Sequence, residues 1–236
     1  MLSISNTKVY DLKESVIAAG NAMRLQLPEY DDTAFEMGLK RCKKLAKLGG
    51  GSGHSNFRTG IRVSFDMIYP NYISPEIQRY HFFDIVTSAS KMHRITKMDF
   101  KNCCNKYVTE CSINQMDALI ADYNHITDII NRENIGPDDE YLMAFYHENK
   151  TMMSKEFPEP LLITVKILPY FQYVAFMRII SNCPQGIELF MRCSTNYEQL
   201  ATIYKQRCNH KLKEDWGAFC DWIKTLPYAE DLIICE

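Results

Sequence analysis

Apolar residues recur every three or four positions in several stretches of the chain, which is the spacing of an amphipathic helix. The longest stretch runs from Ser112 to Ile130, where Ser112 and Gln115 have the spacing of a capping box and Gly136-Pro137 follows. Its apolar positions are Ile113, Met116, Leu119, Ile120, Tyr123, Ile126 and Ile130. The pattern therefore predicts a long helix near the middle of the chain.

Capping-box spacing predicts two more helices, at Thr33 with Glu36 and at Thr195 with Glu198. The apolar positions of the first are Met37, Cys42, Leu45 and Leu48, and those of the second are Leu200, Ile203 and Tyr204. A last helix is predicted by Trp216, Phe219, Trp222 and Ile223, which recur at helical spacing. Aromatic residues at this spacing usually pack in a core.

Alternation of apolar and polar residues predicts strands at two places. One runs from Ile61 to Ile68 and ends at Pro70, and the other begins at Ile187 and continues to Arg192. A β-rich segment, Leu161 to Leu168, stops at Pro169, and the polar residues 137 to 160 before it are predicted to form a long connection. The run Gly49-Gly50-Gly51-Ser52-Gly53 is expected to join the first helix to the first strand.

The composition is that of a globular protein, with 236 residues and 46% hydrophobic side chains. With 27 basic and 29 acidic side chains the formal charge is −2, which argues against a protein that binds polyanions with its whole surface. A nucleic-acid-binding alternative depends on Lys40-Arg41-Cys42-Lys43-Lys44 alone, and such a run is usually a solvated helix face. Because no apolar run is long enough for a membrane span and Met1 begins no signal peptide, we expect a cytoplasmic protein.

The nine cysteines are an odd number without a CxxC pair, so reduced thiols are expected and neither a disulfide nor a metal site is predicted. Zinc binding by Cys208 with His210, or by Cys103 and Cys104 with Cys111, would need further ligands from distant parts of the chain.

The candidate chemistry lies between Gly53 and Arg94. Gly53-His54-Ser55, Gln78-Arg79-Tyr80-His81 and the segment from Ser88 to Arg94 together hold three of the six histidines, with several hydroxyls and cations. Arginine offers a planar fork for a phosphate or a pyrimidine carbonyl, and serine hydroxyls adapt to phosphate oxygens. This composition indicates an anion-binding pocket, and the alternative is a solvated polar surface.

The same segment resembles the flavin-dependent thymidylate synthases, which carry a Gly-His-x-Ser loop, a strand ending in Pro, Arg-His-Arg and a downstream Ser-x-Arg. Gly53-His54-Ser55, the strand Val63 to Pro70 and Arg79-Tyr80-His81 stand in this order, and Ser88, Ser90 and Arg94 approximate the last motif. Ala22-Met23-Arg24-Leu25 resembles an upstream segment of the family, and the helix from Asn196 to Arg207 resembles its Asn-x-Arg-x-Leu helix.

The sequence departs from the family pattern at several motif positions. His81 replaces the second Arg of Arg-His-Arg, and the preceding Gln aligns with Glu76 but is offset to Gln78. The Glu-His that follows the family loop is Arg58-Thr59 here, and the Arg of Asn-x-Arg falls on Glu198. These differences bear on which substrate the chain binds and on whether it is active.

The resemblance implies a single domain over residues 1–236, with an α/β (α+β) fold in which helices flank a central, mostly antiparallel sheet. It also implies transfer of a one-carbon unit to C5 of a deoxypyrimidine nucleotide such as dUMP, in the manner of a methyltransferase. FAD would be the cofactor, and NADPH and methylenetetrahydrofolate the co-substrates. A homotetramer is expected, because family active sites are built from several subunits.

The resemblance assigns a role to each motif residue. Arg79, Ser88 and Ser90 are the expected catalytic residues; His54, Ser55, His81 and Asn196 the flavin-binding ones; and Gln78, Arg79, Ser90, Arg94 and Arg207 the substrate-binding ones. Cation donors at the pyrimidine carbonyls would stabilise charge that builds up when C5 becomes nucleophilic. Two alternatives stay open, namely a different nucleotide such as dCMP or a modified pyrimidine, and a binding protein without catalysis.

Overall fold

The computed structural model describes residues 1–48, 53–131, 140–153 and 168–235, and the chain forms two units. The first contains Met1–Ala89 and Glu188–Glu236, and the second contains Ser90–Ile187. The strands are β1 (Ser3–Tyr10), β2 (Arg62–Pro70), β3 (Asp84–Ser88) and β4 (Glu188–Asn196). The helices are α1 (Leu12–Ala18), α2 (Asp32–Ala46), α3 (Phe57–Gly60), α4 (Ser74–Ile77), α5 (Lys91–Arg94), α6 (Phe100–Cys103), α7 (Glu110–Ile130), α8 (Glu140–Glu148), α9 (Lys150–Met153), α10 (Leu168–Asn182), α11 (Tyr197–Arg207) and α12 (Lys213–Lys224).

All four strands belong to one sheet in the first unit. The order is β1-β2-β4-β3, and each neighbouring pair is antiparallel. The two strands predicted from alternation, β2 and β4, form its centre and pair along their whole length, from Arg62 opposite Asn196 to Pro70 opposite Glu188. The expected α/β fold with an antiparallel sheet flanked by helices is therefore confirmed.

Alternation along β2 gives the sheet one buried and one open face. Val63, Phe65 and Met67 are at most 1% exposed and pack in one core with residues of α2, α11 and α12. Arg62 and Asp66 point to the other face, which is partly exposed. Successive side chains of a strand point to opposite faces of the sheet, and only one face of this sheet packs against the core.

The four predicted helices are present, but the three that were predicted from capping-box spacing are each capped by a different residue from the expected one. The observed caps are Asp31 rather than Thr33 for α2, Thr109 rather than Ser112 for α7, and Asn196 rather than Thr195 for α11. In each case the side-chain oxygen of the observed cap accepts a hydrogen bond from the backbone N–H three residues later. The extended backbone of the cap residue allows this contact.

Helix α2 also buries a different face from the predicted one. Met37 and Leu48 are exposed, whereas Gly38, Leu39 and Ala46 are buried beside the predicted Cys42. Gly38 lies against the backbone of α1, where a Cβ would come within 2.7 Å of the Val16 carbonyl oxygen. Close packing of two helices at a glycine thus sets the rotation of α2.

Two predictions for the region after α7 are wrong in the described part of it. The predicted polar connection contains helices α8 and α9 over residues 140–153. Leu168 and Pro169, the predicted end of a strand, begin helix α10, where proline is tolerated because first-turn N–H groups have no intrahelical partner. The rest of that predicted strand, residues 161–167, lies outside the described residues.

The second unit is helical. Helices α7 and α10 pack along one another, and Met116, Leu119 and Ile126 of α7 are buried in its cores. In the ranges that the structure describes, no helix has the length and apolar character needed to cross a membrane.

Candidate functional site

Helix α11 contacts two of the motif segments in the first unit. The Tyr80 hydroxyl donates to Gln206 at the end of α11, while the Phe82 backbone N–H donates to Gln199 near its start. The side chain of Thr195, just before the helix, donates to the Phe82 carbonyl oxygen. The segment around Arg79-Tyr80-His81 therefore runs beside the helix that resembles the family's Asn-x-Arg element.

Successive residues of this segment point in opposite directions. Tyr80 is buried, whereas Gln78, Arg79 and His81 are exposed. The Gln78 side chain donates to the Ser74 hydroxyl at 3.3 Å, and the His81 ring packs edge-on against Phe82. The buried tyrosine thus anchors the segment and leaves Arg79 and His81 facing outward.

The predicted substrate residue Arg207 is held by protein groups. Its Nε donates to the Tyr80 hydroxyl at 2.7 Å, and its guanidinium lies 3.0 Å from Glu76 Oε2. The indole N–H of Trp216 donates to the same Glu76 oxygen at 2.6 Å, and the guanidinium lies over the Trp216 ring. We call these four residues the Glu76 cluster. A half-buried arginine with this many contacts stabilises the fold.

Arg79 has no hydrogen bond or ion pair with any residue in the described part of the chain. The two carboxylates nearest in sequence are engaged elsewhere, since Glu76 binds Arg207 and Asp84 binds Arg62 at 3.1 Å. The surface-pairing alternative for Arg79 is therefore not observed. Its guanidinium is an exposed cation whose donors are not used by any residue that the structure describes.

Asn196 is buried and caps α11, with its side-chain oxygen accepting from the Gln199 N–H at 2.9 Å. Ser55 is also buried, and its carbonyl oxygen accepts from the Arg58 N–H. His54 is exposed beside Gly53, which has a φ of +76° and nothing within 4 Å of where a Cβ would lie. Helix α3 stands between this turn and β2, so the turn does not lead directly into the strand as predicted. Residues 49–52 of the glycine run lie outside the described residues.

Arg58 lies in helix α3, directly after this turn, and is almost fully buried. Its guanidinium donates to the Ala46 carbonyl oxygen at the end of α2 and to the Cys235 sulfur, and it lies 3.5 Å from Glu198 of α11. The side chains of Arg58 and Glu198 are 4% and 24% exposed. Burial is the main cause that raises the pKa of the Cys235 thiol, and Arg58 opposes it.

A cavity of about 570 Å³ opens beside Arg58. Lys47 and Lys205 line it together with Glu198 and Thr202. Three cations and one carboxylate give this lining a formal excess of two positive charges, in a chain whose total is −2. We call it the Arg58 cavity.

Ser88 ends β3 and lies opposite Met191 of β4. It lines a cavity of about 340 Å³ on the sheet, together with Asp66, Phe190 and Arg192. Hydrogen bonds from Asn6 and then from Arg192 hold the pKa of the Asp66 carboxyl below its usual range. A small aromatic or phosphate group would find both apolar and polar partners there.

Ser90 and Arg94 lie in the second unit. The Ser90 hydroxyl caps α5 by accepting from the His93 N–H at 3.3 Å. Arg94 lines a cavity of about 500 Å³ with His93, Lys97 and Asp99. The structure thus brings the segments of Ser55, Tyr80 and Asn196 together on α11, whereas Ser88 and Arg94 line separate cavities and Ser90 caps α5.

The nine cysteines are free thiols. Within residues 1–48, 53–131, 140–153 and 168–235, no three His, Cys, Asp or Glu side chains are placed to hold a metal ion. Neither His54 nor Arg79 lines the cavities described above, and a cleft shared by these two residues stays a prediction.

The sequence prediction assigned no role to Arg58 or Lys205, which line this cavity. The available signal was a pair of opposite charge changes, because Arg58 stands at a family Glu and Glu198 stands at a family Arg. In the structure these two side chains lie 3.5 Å apart.

The chain is similar in structure to enzymes that act on pyrimidine nucleotides. Flavin-dependent thymidylate synthase ThyX from Helicobacter pylori, complexed with FAD and dUMP, has a TM-score of 0.49 and 13% identity, covering 98% of each chain. A second structure of the H. pylori enzyme with FAD and dUMP has the same score and identity and covers 100% of this chain and 99% of that one. The UMP/dUMP methylase PolB from Streptomyces cacaoi, bound with 5-Br dUMP, has a TM-score of 0.49 and 10% identity over 98% of this chain and 94% of that chain.

No family model matches the sequence, and no curated protein matches it. At this similarity, the role of each residue has to follow from the contacts of this chain itself.

Proposed function

We propose that this chain binds a deoxypyrimidine nucleotide such as dUMP and a flavin, and transfers a one-carbon unit to C5 of the pyrimidine. In this proposal FAD is the cofactor, NADPH supplies the reducing equivalents, and methylenetetrahydrofolate supplies the carbon. The enzyme works as a homotetramer.

The observation that carries the proposal is the free guanidinium of Arg79 within the motif segment. The Glu76 cluster, which includes Tyr80, holds this segment against α11. Arg79 has no partner in the described part of the chain. A rigidly mounted, unpaired arginine is suited to a phosphate or to a pyrimidine carbonyl oxygen.

The residues present fit a flavin dinucleotide. The backbone at Gly53 is open to close approach, since nothing lies within 4 Å of a Cβ there. The Arg58 cavity offers cations to phosphate groups, and Nε of Arg58 is a buried donor without a hydrogen-bond partner. When bound, the flavin would supply hydride and carbon-transfer chemistry that no side chain of this protein can provide.

The chain's own residues would bind and orient the nucleotide. Arg79 donates to an oxygen of the nucleotide, and its positive charge stabilises negative charge on the pyrimidine carbonyls as C5 becomes nucleophilic. Ser88, which lines a cavity on the sheet, is assigned to the phosphate, and His54 and His81 to the flavin. No proton transfer by a cysteine is needed.

Titration of dUMP into the wild-type protein and Arg79→Ala tests the proposal. A charge-assisted hydrogen bond contributes about 1.5 to 3 kcal/mol, so the variant should bind dUMP at least about tenfold more weakly while keeping its melting temperature. Lys211→Ala is the control, because it also removes one exposed cation from this unit. Equal dUMP affinity in all three proteins, or no affinity in the wild type, would contradict the proposal.

An altered nucleotide is the second candidate, and the Glu76 cluster favours it. Arg207, which the resemblance assigns to the substrate, is engaged by Glu76, Tyr80 and Trp216, and His81 replaces an arginine. Two cations that the family pattern provides are therefore missing or occupied. Parallel titrations of dCMP and dUMP separate the two candidates, since tighter binding of dCMP would select the altered substrate.

A further inference from the structure

Three of the cysteines lie together in the second unit. Cys103 ends helix α6, Cys104 follows it, and Cys183 comes directly after α10, far along the chain. All three are partly exposed and pack against one small core that contains Phe100 and Ile187. We call these three residues the thiol cluster. The zinc alternative from the sequence combined Cys103 and Cys104 with a different cysteine, and the fold brings them Cys183 instead.

Backbone contacts hold the two segments of the cluster together. Cys104 forms an isolated antiparallel bridge with Ile187, and the Asn105 N–H donates to the Gly186 carbonyl oxygen at 2.9 Å. A Cβ on Gly186 would come within 2.8 Å of the Asn105 side-chain oxygen, so this close approach requires a glycine. The positions of the cysteines therefore follow from fixed backbone and do not depend on flexible side chains.

The thiols of the cluster also interact directly. Those of Cys103 and Cys104 share a hydrogen bond, and Cys183 is close enough to affect the ionisation of both. Burial is the main cause that raises the pKa of all three thiols, and Cys183 raises the pKa of the other two further. Because the thiolate is the reactive form, such a cluster stays reduced unless an oxidant is abundant.

Cys103 connects the cluster to the solvent. It lines the cavity of about 500 Å³ that Arg94, Lys97 and Asp99 also line. This volume admits a small peroxide, and the two permanent cations outnumber the one carboxylate, which favours a thiolate as it forms. Cys103 is therefore the thiol that a water-soluble oxidant reaches through the cavity.

Disulfide geometry selects the partner of Cys103. Bridged cysteines usually have Cα atoms about 4.4 to 6.8 Å apart, whereas consecutive Cα atoms are about 3.8 Å apart. A bridge between Cys103 and its neighbour Cys104 is therefore disfavoured. Cys183 comes from the other segment and is not subject to this restriction.

We propose that the thiol cluster is an oxidation site at which hydrogen peroxide forms a disulfide between Cys103 and Cys183. The Cys103 thiolate attacks one peroxide oxygen, so an S–O bond forms as the O–O bond breaks, and the released hydroxide takes up a proton to give water. Cys183 then loses its thiol proton, forms the S–S bond and displaces the sulfenic oxygen as a second water. Two electrons pass from the sulfurs to the peroxide. The site does not depend on the proposed function, which assigns no role to a cysteine.

The bridge would stabilise the second unit. It joins the segment before α7 to the segment after α10, and both long helices lie in the loop that it closes. A cross-link over a long loop lowers the entropy of the unfolded chain more than one over a short loop. Oxidation at this site therefore strengthens the unit instead of damaging it.

Peptide mapping of single cysteine variants tests the pairing. Wild type, Cys103→Ser, Cys183→Ser, Cys104→Ser and the control Cys111→Ser are treated with hydrogen peroxide, alkylated, and digested without reduction. Cys111 is the control because it is an exposed thiol of the same unit. We expect the Cys103–Cys183 disulfide in wild type, Cys104→Ser and Cys111→Ser, and its loss in the other two. A bridge from Cys183 to Cys104 in the wild type, bridges only between molecules, or no bridge at all would overturn the proposal.

Thermal unfolding tests the effect of the bridge. Peroxide-treated wild type should melt about 5 °C or more above the reduced protein, and dithiothreitol should reverse the shift. Cys183→Ser should melt at one temperature before and after the same treatment, which excludes a general effect of peroxide. If the mapped bridge forms and the melting temperature does not rise, the stabilising role of the bridge is wrong.

Discussion

At the scale of single residues, Arg79 and Arg207 look alike in the sequence and differ in the fold. Both lie close to aromatic and acidic residues, but Glu76 and Tyr80 engage only Arg207. The pairing joins α4 to the end of α11, about 130 positions apart in the chain, and local patterns carry no information about such a contact. The resemblance predicted both residues as substrate ligands, and only the contacts distinguish them.

The Glu76 cluster gives a prediction for stability. Glu76→Ala leaves the half-buried Arg207 without its carboxylate and the Trp216 indole N–H without an acceptor, so the free energy of unfolding should fall by about 2 to 3 kcal/mol. Glu76→Gln keeps an acceptor for Trp216 and should lose about half as much. Urea denaturation measures both, and equal losses would mean that the indole hydrogen bond contributes nothing.

At the scale of elements, the strength of the pattern decides what the sequence can predict. β2 and β4 alternate cleanly because one face of each is buried, and α7 carries an apolar stripe over 21 residues. β1 and β3 were not predicted, since β3 is exposed throughout and β1 is half-buried at only two positions. Edge strands pair through the backbone, and a side-chain pattern does not report that pairing.

The start of α2 gives a prediction at the scale of elements. Its observed cap, Asp31, and the cap expected from the sequence, Thr33, can each be replaced by alanine. Asp31 accepts from the Ala34 N–H at 2.7 Å, whereas Thr33 is already inside the helix. Asp31→Ala should lower the free energy of unfolding by about 1 kcal/mol and Thr33→Ala by less than about 0.5 kcal/mol. Urea denaturation of the two variants decides, and the reverse order would restore the cap predicted from the sequence.

At the scale of the whole molecule, part of the candidate site could be predicted because its residues stand in the family's order. Helix α3, which follows the Gly53 turn, and the segment after Arg79 both contact α11, whereas a site that His54 and Arg79 share stays a prediction. The Arg58 cavity could not be predicted, since it combines the end of α2, α3, α11 and the C-terminal segment. Positions that appear as departures in the sequence become a contact only in the folded chain.

Buried thiols give a prediction for the whole first unit at alkaline pH. Burial raises the pKa of Cys42 and Cys193 to about 12 and that of Cys220 to about 11. An unfolded thiol ionises near pH 8.5 to 9, so above that pH the unfolded chain releases protons that the folded chain keeps. The stabilisation from neutral buried thiols is therefore complete below about pH 8.5 and is lost as pH rises toward 11 or 12.

The contribution of one thiol can be measured with Cys193→Ala and, as its control, Cys208→Ala. Cys193 is fully buried in the centre of the sheet, whereas Cys208 is exposed. Between pH 7 and pH 10, the wild type should lose about 1 to 2 kcal/mol through Cys193 alone, because only its unfolded state ionises. Cys193→Ala should therefore show a smaller pH-dependent loss in urea denaturation, even though its stability at pH 7 is reduced by the missing sulfur. Cys208→Ala should follow the wild-type pH profile. The same pH-dependent loss in all three proteins would mean that the Cys193 thiol ionises as readily in the folded sheet as in the unfolded chain.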